Sequence, residues 1–149
     1  MSDHYRYRKD KTHLSSTFKL RIDDYYYLKV YIWNNEEGMY ANIEANGEAK
    51  WESRDYAACY LGMPHGWDDL EQETLLPKFW GEVHLTLKDI DVEVVTHELT
   101  HFLLNWMDAV NDSHEELCLL MGRLNKKFWN AFYQRYKVSE GKSELCQRN

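Results

Sequence analysis

The sequence predicts an α+β domain in which an antiparallel sheet is followed by two long helices. Residues 18–51 contain apolar side chains that alternate with polar ones, which is the period of a half-buried strand. From Glu82 to Met121 the chain contains neither Gly nor Pro, and the apolar period there becomes helical. Because 44% of the residues are hydrophobic and 15% are aromatic, the chain has enough apolar side chains to form a core.

The strands are expected in two places. Three stretches share the strand period, namely residues 18–22, 28–32 and 40–45. The Asn46-Gly47 pair that follows them is typical of a tight hairpin turn. We therefore expect an antiparallel meander over residues 18–51, and a last strand at Phe79–Leu87 that leads into the helical region.

Two amphipathic helices account for the second half of the chain. The apolar residues of the first helix lie on one stripe, formed by Val95, Leu99, Phe102, Trp106 and Val110. The second helix covers roughly His114–Tyr136, and its apolar stripe consists of Leu117, Leu120, Leu124, Phe128 and Ala131. Each helix is expected to bury this stripe in the core.

Length and charge limit the class of protein. A chain of 149 residues corresponds to a single domain, 1–149, with a polar and basic flexible arm at 1–16 and a frayed tail at 138–149. The formal net charge of −7 argues against general nucleic-acid binding, which needs a basic surface. No apolar stretch approaches the ~20 residues that a membrane-spanning helix requires.

The cysteines and the N-terminus predict a cytoplasmic protein. Cys59, Cys118 and Cys146 are odd in number and widely spaced, which argues against a disulfide scaffold and against a zinc module with four cysteine ligands. The polar residues 1–13 lack the apolar core of a secretory signal. We therefore expect reduced thiols.

The most informative motif is His97-Glu98-Leu99-Thr100-His101, within the first helix. Histidines at i and i+4 stand one turn apart on one helix face, so that both imidazoles can bind one metal ion. At about 100° per residue, His97 and His101 point nearly opposite to the apolar stripe, as a ligand-binding pair would. Glu98 lies beside them, where it can take a proton from water activated by the metal.

A catalytic zinc ion usually has three protein ligands and one open position. The long metzincin pattern would place the third histidine at position 107, which is Met107 here. Asp108 is on the histidine face, but about 10.5 Å farther along a continuous helix than His101. The third ligand is therefore expected from the start of the second helix, from another part of the chain or from a neighbouring chain.

We select Glu115 as this third ligand. Its helical angle places it on an inward edge with Cys118, whereas Glu116 aligns with a solvated polar face. His114, Glu116 and residues elsewhere remain alternatives. Because the link from His101 to Glu115 is short, the choice requires the first helix to end or bend within residues 105–108, followed by a tight connection.

These residues resemble the zincin metallopeptidases, and more narrowly the small intracellular glutamate-type zincins of bacteria and phages. The resemblance covers residues 79–136. It implies that His97 and His101 bind Zn²⁺ and that Glu98 is the general base. It also implies that Phe79–Leu87 is an edge strand that pairs with an extended substrate, so that the cleft lies near His84. A donor that stabilises the oxyanion is also expected, and the candidates are Tyr133, Tyr136, Arg123 and His84.

The sequence thus predicts a zinc-dependent metallohydrolase, most specifically a peptidase that acts on a peptide or protein substrate. The alternative is a zincin-fold interaction protein, such as a phage-type inhibitor of a host factor, with a zinc ion that is structural or not catalytic. The aromatic residues at 25–33 could then form a contact surface. Substitution of Glu98 by Gln distinguishes the two hypotheses.

Overall fold

A computed structural model describes residues 10–45, 58–62, 78–138 and 145–148 of the chain. The predicted hairpin turn at Asn46-Gly47 and most of the predicted N-terminal arm lie outside these residues. The elements in chain order are β1 (Leu14–Arg21), β2 (Tyr26–Trp33), α1 (Glu36–Ala45), β3 (Ala58–Gly62), β4 (Lys78–Thr86), a 3₁₀ turn (Leu87–Asp89), α2 (Val92–Ala109), α3 (His114–Arg135), β5 (Tyr136–Val138) and β6 (Leu145–Gln147).

The main sheet is mixed. Its strand order is β1-β2-β4-β3, in which β2 and β4 run parallel while the two outer pairs are antiparallel. The α+β class is therefore confirmed, but the expectation of an antiparallel sheet is wrong. The chain leaves β2 through helix α1 rather than through a hairpin, and β4 then enters beside β2 in the same direction.

Helix α1 replaces the third strand expected at residues 40–45. The Asn35 side chain accepts a hydrogen bond from the Gly38 backbone N–H at 2.9 Å, which satisfies a donor in the first turn. Met39, Tyr40 and Ile43 are buried together, as their spacing on a helix allows. Over such a short stretch, apolar residues can fit a strand period and a helical period equally well.

Strand β4 confirms the predicted last strand but does not lie at the edge of the sheet. It is flanked by β2 on one side and by the five-residue strand β3 on the other. The edge strand beside the histidine helix is therefore β3, in which Tyr60 pairs with Val83 of β4. The implied edge position of Phe79–Leu87 is wrong, because β3 covers that side.

Helix α2 contains the motif and runs without a break to Ala109. Asp91 caps its N-terminus, because the Asp91 side chain accepts a hydrogen bond from the Val94 N–H at 2.8 Å. The predicted end or bend within residues 105–108 is wrong. Trp106 is buried, and its indole N–H donates a hydrogen bond to Asp112 at 3.0 Å. Asp112 lies beyond the end of the helix, so the packing of Trp106 extends past the position where the helix was expected to end. The connection to α3 is short, as predicted.

Helix α3 agrees with the predicted second helix. Ser113 caps it by accepting from the Glu116 N–H at 3.2 Å. Its buried residues are Leu117, Leu120, Leu124, Phe128 and Phe132. Four of these were predicted, and Phe132 takes the last place because Ala131 is only half-buried.

Some residues of the predicted arm and tail belong to strands in the described part of the chain. Leu14–Ser16 belong to β1, and Leu145–Gln147 pair with Tyr136–Val138 as an antiparallel ribbon. The Tyr136 hydroxyl is 2.7 Å from Ser15 Oγ and 2.6 Å from Ser16 Oγ. These contacts fasten the start of β1 to the end of α3. Within the described ranges, no helix is long and apolar enough to cross a membrane.

The edge strand packs too closely on β4 to accommodate a side chain at Gly81. A Cβ atom there would lie 2.7 Å from the carbonyl oxygen of Leu61. We expect Gly81→Ala to lower the free energy of unfolding by about 1–3 kcal/mol, measured by urea denaturation.

Gly122→Ala is the matched control for this substitution. Gly122 lies within α3, and apart from its chain neighbours and the surrounding helix backbone, no atom of the described residues lies within 4 Å of its Cβ position. Alanine has the better helix propensity, so this variant should gain about 0.5–1 kcal/mol. Equal stability of the two variants would contradict the close packing of β3 on β4.

Candidate metal centre

His97 and His101 come together on the exposed face of α2, as predicted. Their Nε2 atoms are 3.1 Å apart, and the ring centroids are separated by 4.8 Å with an interplanar angle of 79°. Both side chains are exposed, whereas Val95, Leu99 and Phe102 of the same helix are buried. The helical period therefore separates the imidazole pair from the core.

The spacing of the two nitrogen atoms fits a zinc ion. Two donors at 2.0–2.1 Å from a tetrahedral ion stand roughly 3.3 Å apart. The observed 3.1 Å differs from this by a few tenths of an ångström, which small ring rotations can supply. At 3.1 Å the two Nε2 atoms are also within hydrogen-bond distance of each other, so the spacing is compatible both with one shared ion and with a direct hydrogen bond between the rings.

Glu98 is buried next to the pair, with only 6% of its surface exposed. This burial raises the pKa of its carboxyl group, while His97 and the backbone N–H of Tyr60 act in the opposite direction. The side chain thus lies between the histidine helix and the edge strand β3. A carboxylate in such a place is well suited to accept a proton, because its basicity is closer to the neutral range.

Glu115 is not brought to the histidine pair. It lies exposed in the first turn of α3, as do His114 and Glu116, and α2 continues about 12 Å past His101 before the chain turns. Among the residues that the structure describes, no three His, Cys, Asp or Glu side chains form a group that could bind a metal ion. The bend of α2 that the choice of Glu115 requires is absent, so the described residues do not supply a third ligand, and the assignment of Glu115 stays a prediction.

Two of the four proposed oxyanion donors are buried elsewhere. The Tyr136 side chain is fully buried, and its hydroxyl bonds Ser15 and Ser16. His84 is also fully buried, within the sheet, and does not line an open cleft. Tyr133 and Arg123 are exposed on α3, so they stay candidates.

His84 belongs to a buried polar network. Its Nδ1 atom is 2.9 Å from the indole nitrogen of Trp33, and its Nε2 atom is 2.8 Å from Glu82 Oε1. Because an indole N–H can only donate, Nδ1 accepts, and Nε2 carries the proton that is donated to Glu82. The Tyr31 ring stacks on the imidazole at 4.9 Å. Both ring nitrogens are engaged, so this histidine has a structural role.

Asn105 is a site residue that the sequence reasoning missed. It follows His101 by one turn on α2, and its Oδ1 atom accepts from Tyr60 Oη and from Trp80 Nε1, each at 3.0 Å. In the sequence it falls within residues 105–108, where the first helix was expected to end or bend. Its spacing of i+4 from His101 was the available signal, because that spacing continues the row of the two histidines.

Comparison with protein-family models, with curated proteins and with solved structures finds no match for this chain.

We expect the wild-type protein to bind one Zn²⁺ per chain through His97 and His101. In His101→Ala the dissociation constant for Zn²⁺ should rise by more than about 100-fold. Loss of an outer-shell partner alone costs up to about 100-fold, and His101 is a direct ligand in this prediction. Thr100→Ala is the matched control, since Thr100 is exposed on the same helix and its hydroxyl bonds Thr96 O at 2.7 Å. Isothermal titration calorimetry and metal analysis measure both quantities.

Glu115→Ala tests the third ligand in the same titration. Weaker zinc binding than in the wild type is expected if Glu115 completes the site. Unchanged binding, together with loss of binding in His101→Ala, would rule out Glu115 and leave the histidine pair in place.

Proposed function

We propose that this protein is a zinc-dependent metallohydrolase, and more specifically a peptidase of the zincin type. The observation that carries the proposal is the 3.1 Å distance between the Nε2 atoms of His97 and His101, with Glu98 between them in the helix. Two nitrogen donors and an adjacent carboxylate are part of what metal-assisted hydrolysis requires, and a third protein ligand is needed to complete the zinc site.

Each residue has a distinct role in this reaction. His97 and His101 would hold the zinc ion, which when bound lowers the pKa of a coordinated water and polarises a carbonyl group. Glu98 would accept at its carboxylate the proton of the water that attacks the carbonyl carbon, and would give that proton to the amine released when the C–N bond breaks. Its burial keeps bulk water away from the carboxylate.

A second candidate function is a zinc-containing interaction protein. Two observations favour it: the described residues supply only two ligands at the site, and apolar side chains are exposed next to the histidines. Leu104 is 56% exposed and Met107 is 41% exposed, in the two turns of α2 beyond His101. Exposed apolar side chains near one another are common in protein-contact surfaces.

Glu98→Gln distinguishes the two functions. We expect cleavage of a fluorescence-quenched random peptide library by the zinc-loaded protein to fall by at least about 100-fold, because glutamine cannot accept the proton. Zinc binding should persist, and the free energy of unfolding should be unchanged or up to about 1 kcal/mol higher, because a buried carboxylate is replaced by a neutral amide.

The matched control is Glu93→Gln, in the exposed first turn of the same helix, which should leave cleavage unchanged. Cleavage by Glu98→Gln at the wild-type rate would contradict the hydrolase assignment. If the zinc-loaded wild type cleaves no member of the library, the interaction protein becomes the better account.

A further inference from the structure

We propose that the side-chain amide of Asn105 binds a main-chain carbonyl oxygen of the peptide, beside the histidine pair. This inference rests on the proposed peptidase function and extends it to a specific substrate contact. It follows from the position of Asn105, from the orientation of its amide and from the way in which that orientation is fixed.

The position of Asn105 continues the row of metal-ligand candidates. His97, His101 and Asn105 are spaced by four residues each on α2, so each is rotated by about 40° around the helix from the one before, and all three are exposed. Asn105 is about 6 Å farther along the axis than His101. This is roughly two residues of an extended chain, so a carbonyl there would belong to a peptide already bound at the histidines.

The orientation of the amide is determined by its neighbours. Trp80 Nε1 lies 3.0 Å from Oδ1 of Asn105 and can only donate a hydrogen bond. If the amide were rotated by 180°, its NH₂ group would face this N–H group. Oδ1 must therefore face Trp80, and the Nδ2 group is directed away from it.

A second donor reinforces this orientation. Tyr60 Oη is 3.0 Å from the same Oδ1 atom. Burial raises the pKa of Tyr60 well above its usual range, so the phenol keeps its proton and can donate it. Oδ1 of Asn105 thus accepts two hydrogen bonds, which uses its acceptor capacity.

Packing holds both donors in place. The Trp80 ring contacts the Trp106 ring edge-to-face at 4.6 Å and is 3% exposed. Space for the Tyr60 hydroxyl exists because positions 62 and 81 are glycines. A Cβ atom at Gly62 would lie 3.1 Å from Tyr60 Oη, and one at Gly81 would lie 3.2 Å from it. Because these two fixed donors hold the Asn105 side chain, its Nδ2 group loses little conformational entropy when it binds a ligand.

The Nδ2 group is available for a ligand. Asn105 is exposed, and no acceptor in the described part of the chain takes a hydrogen bond from Nδ2. Its two N–H groups recognise a carbonyl oxygen, which every peptide bond supplies. If Asn105 had only a structural role, it would use Oδ1 alone. The proposed role also requires Nδ2, so a variant that lacks only Nδ2 distinguishes the two.

Asn105→Asp separates the two roles. The carboxylate retains the size of the side chain and still accepts from Tyr60 and Trp80, but it cannot donate. For the zinc-loaded enzyme acting on the peptide library, we expect kcat/KM to fall on the order of 10- to 100-fold, mainly through KM, with no loss of thermal stability. Asn130→Asp, at an exposed position of α3, controls for the added charge.

Tyr60→Phe provides the comparison for a structural role. It removes one donor to Oδ1 but leaves Nδ2 intact, so it should lower kcat/KM less than Asn105→Asp does. If Asn105→Asp matches the wild type while Tyr60→Phe is impaired, Asn105 supports the fold and the proposal is overturned.

A measurement independent of turnover uses the side-chain amide signals in nitrogen-15 NMR. The probe is N-acetyl-trialanine amide at millimolar concentration, added to zinc-loaded Glu98→Gln protein. The Asn105 Nδ2 signals, assigned by their loss in Asn105→Asp, should shift in a saturable manner while those of Asn130 do not. An Asn105 signal that does not respond overturns the proposal.

The two proposals can fail separately. Library cleavage that is equal in the wild type and Asn105→Asp overturns the carbonyl contact and leaves the hydrolase intact. An Asn105 amide that responds to the probe, in a protein whose wild type cleaves nothing, supports the carbonyl contact and contradicts the hydrolase.

Discussion

The packing of one side of α2 against the sheet determines the rest of the site. Leu99, Phe102 and Trp106 are buried, and a side chain of this kind contributes about 1.5–3 kcal/mol when it is removed from water. Together these contributions exceed any preference of the polar residues for another orientation of the helix. The buried residues therefore set the rotation of α2 about its own axis. Once the rotation is set, the 3.6-residue period places His97 and His101 in solvent and Glu98 at the boundary with β3.

The boundary position of Glu98 opposes stability and agrees with its proposed role as a general base. A carboxylate that is 6% exposed has lost most of its hydration, which raises its pKa and disfavours its charged form. The edge strand compensates in part through the backbone N–H of Tyr60. The same residue contacts Asn105 through its hydroxyl, so Tyr60 links Glu98, the proposed general base, to the proposed carbonyl contact.

Much of the second half of the fold can be predicted from the sequence, because its signals are local. The helical periods locate α2 and α3, and the spacing of His97 and His101 predicts a pair that the structure brings to 3.1 Å. The first half is harder to predict. At residues 40–45 the strand and helix periods coincide, and the parallel pairing of β2 with β4 depends on contacts between distant parts of the chain.

The part of the site that the sequence does not predict also depends on contacts between distant parts of the chain. Asn105 receives its hydrogen bonds from Tyr60 and Trp80, on two strands far from it in sequence, so no local pattern identifies them. His84 has a clear strand period, but only the fold shows that Trp33 and Glu82 engage both of its ring nitrogens. Likewise, the length of α2 follows from the packing of Trp106 and not from the polar residues near its end.

The most direct test of the central claim is zinc X-ray absorption spectroscopy on the loaded protein. A centre built on His97 and His101 predicts nitrogen and oxygen neighbours at about 2.0–2.1 Å, with the outer-shell scattering of two imidazole rings. The imidazole scattering should disappear in the double variant His97→Ala/His101→Ala. Sulfur neighbours at about 2.3 Å, or imidazole scattering that persists in the double variant, would contradict the account.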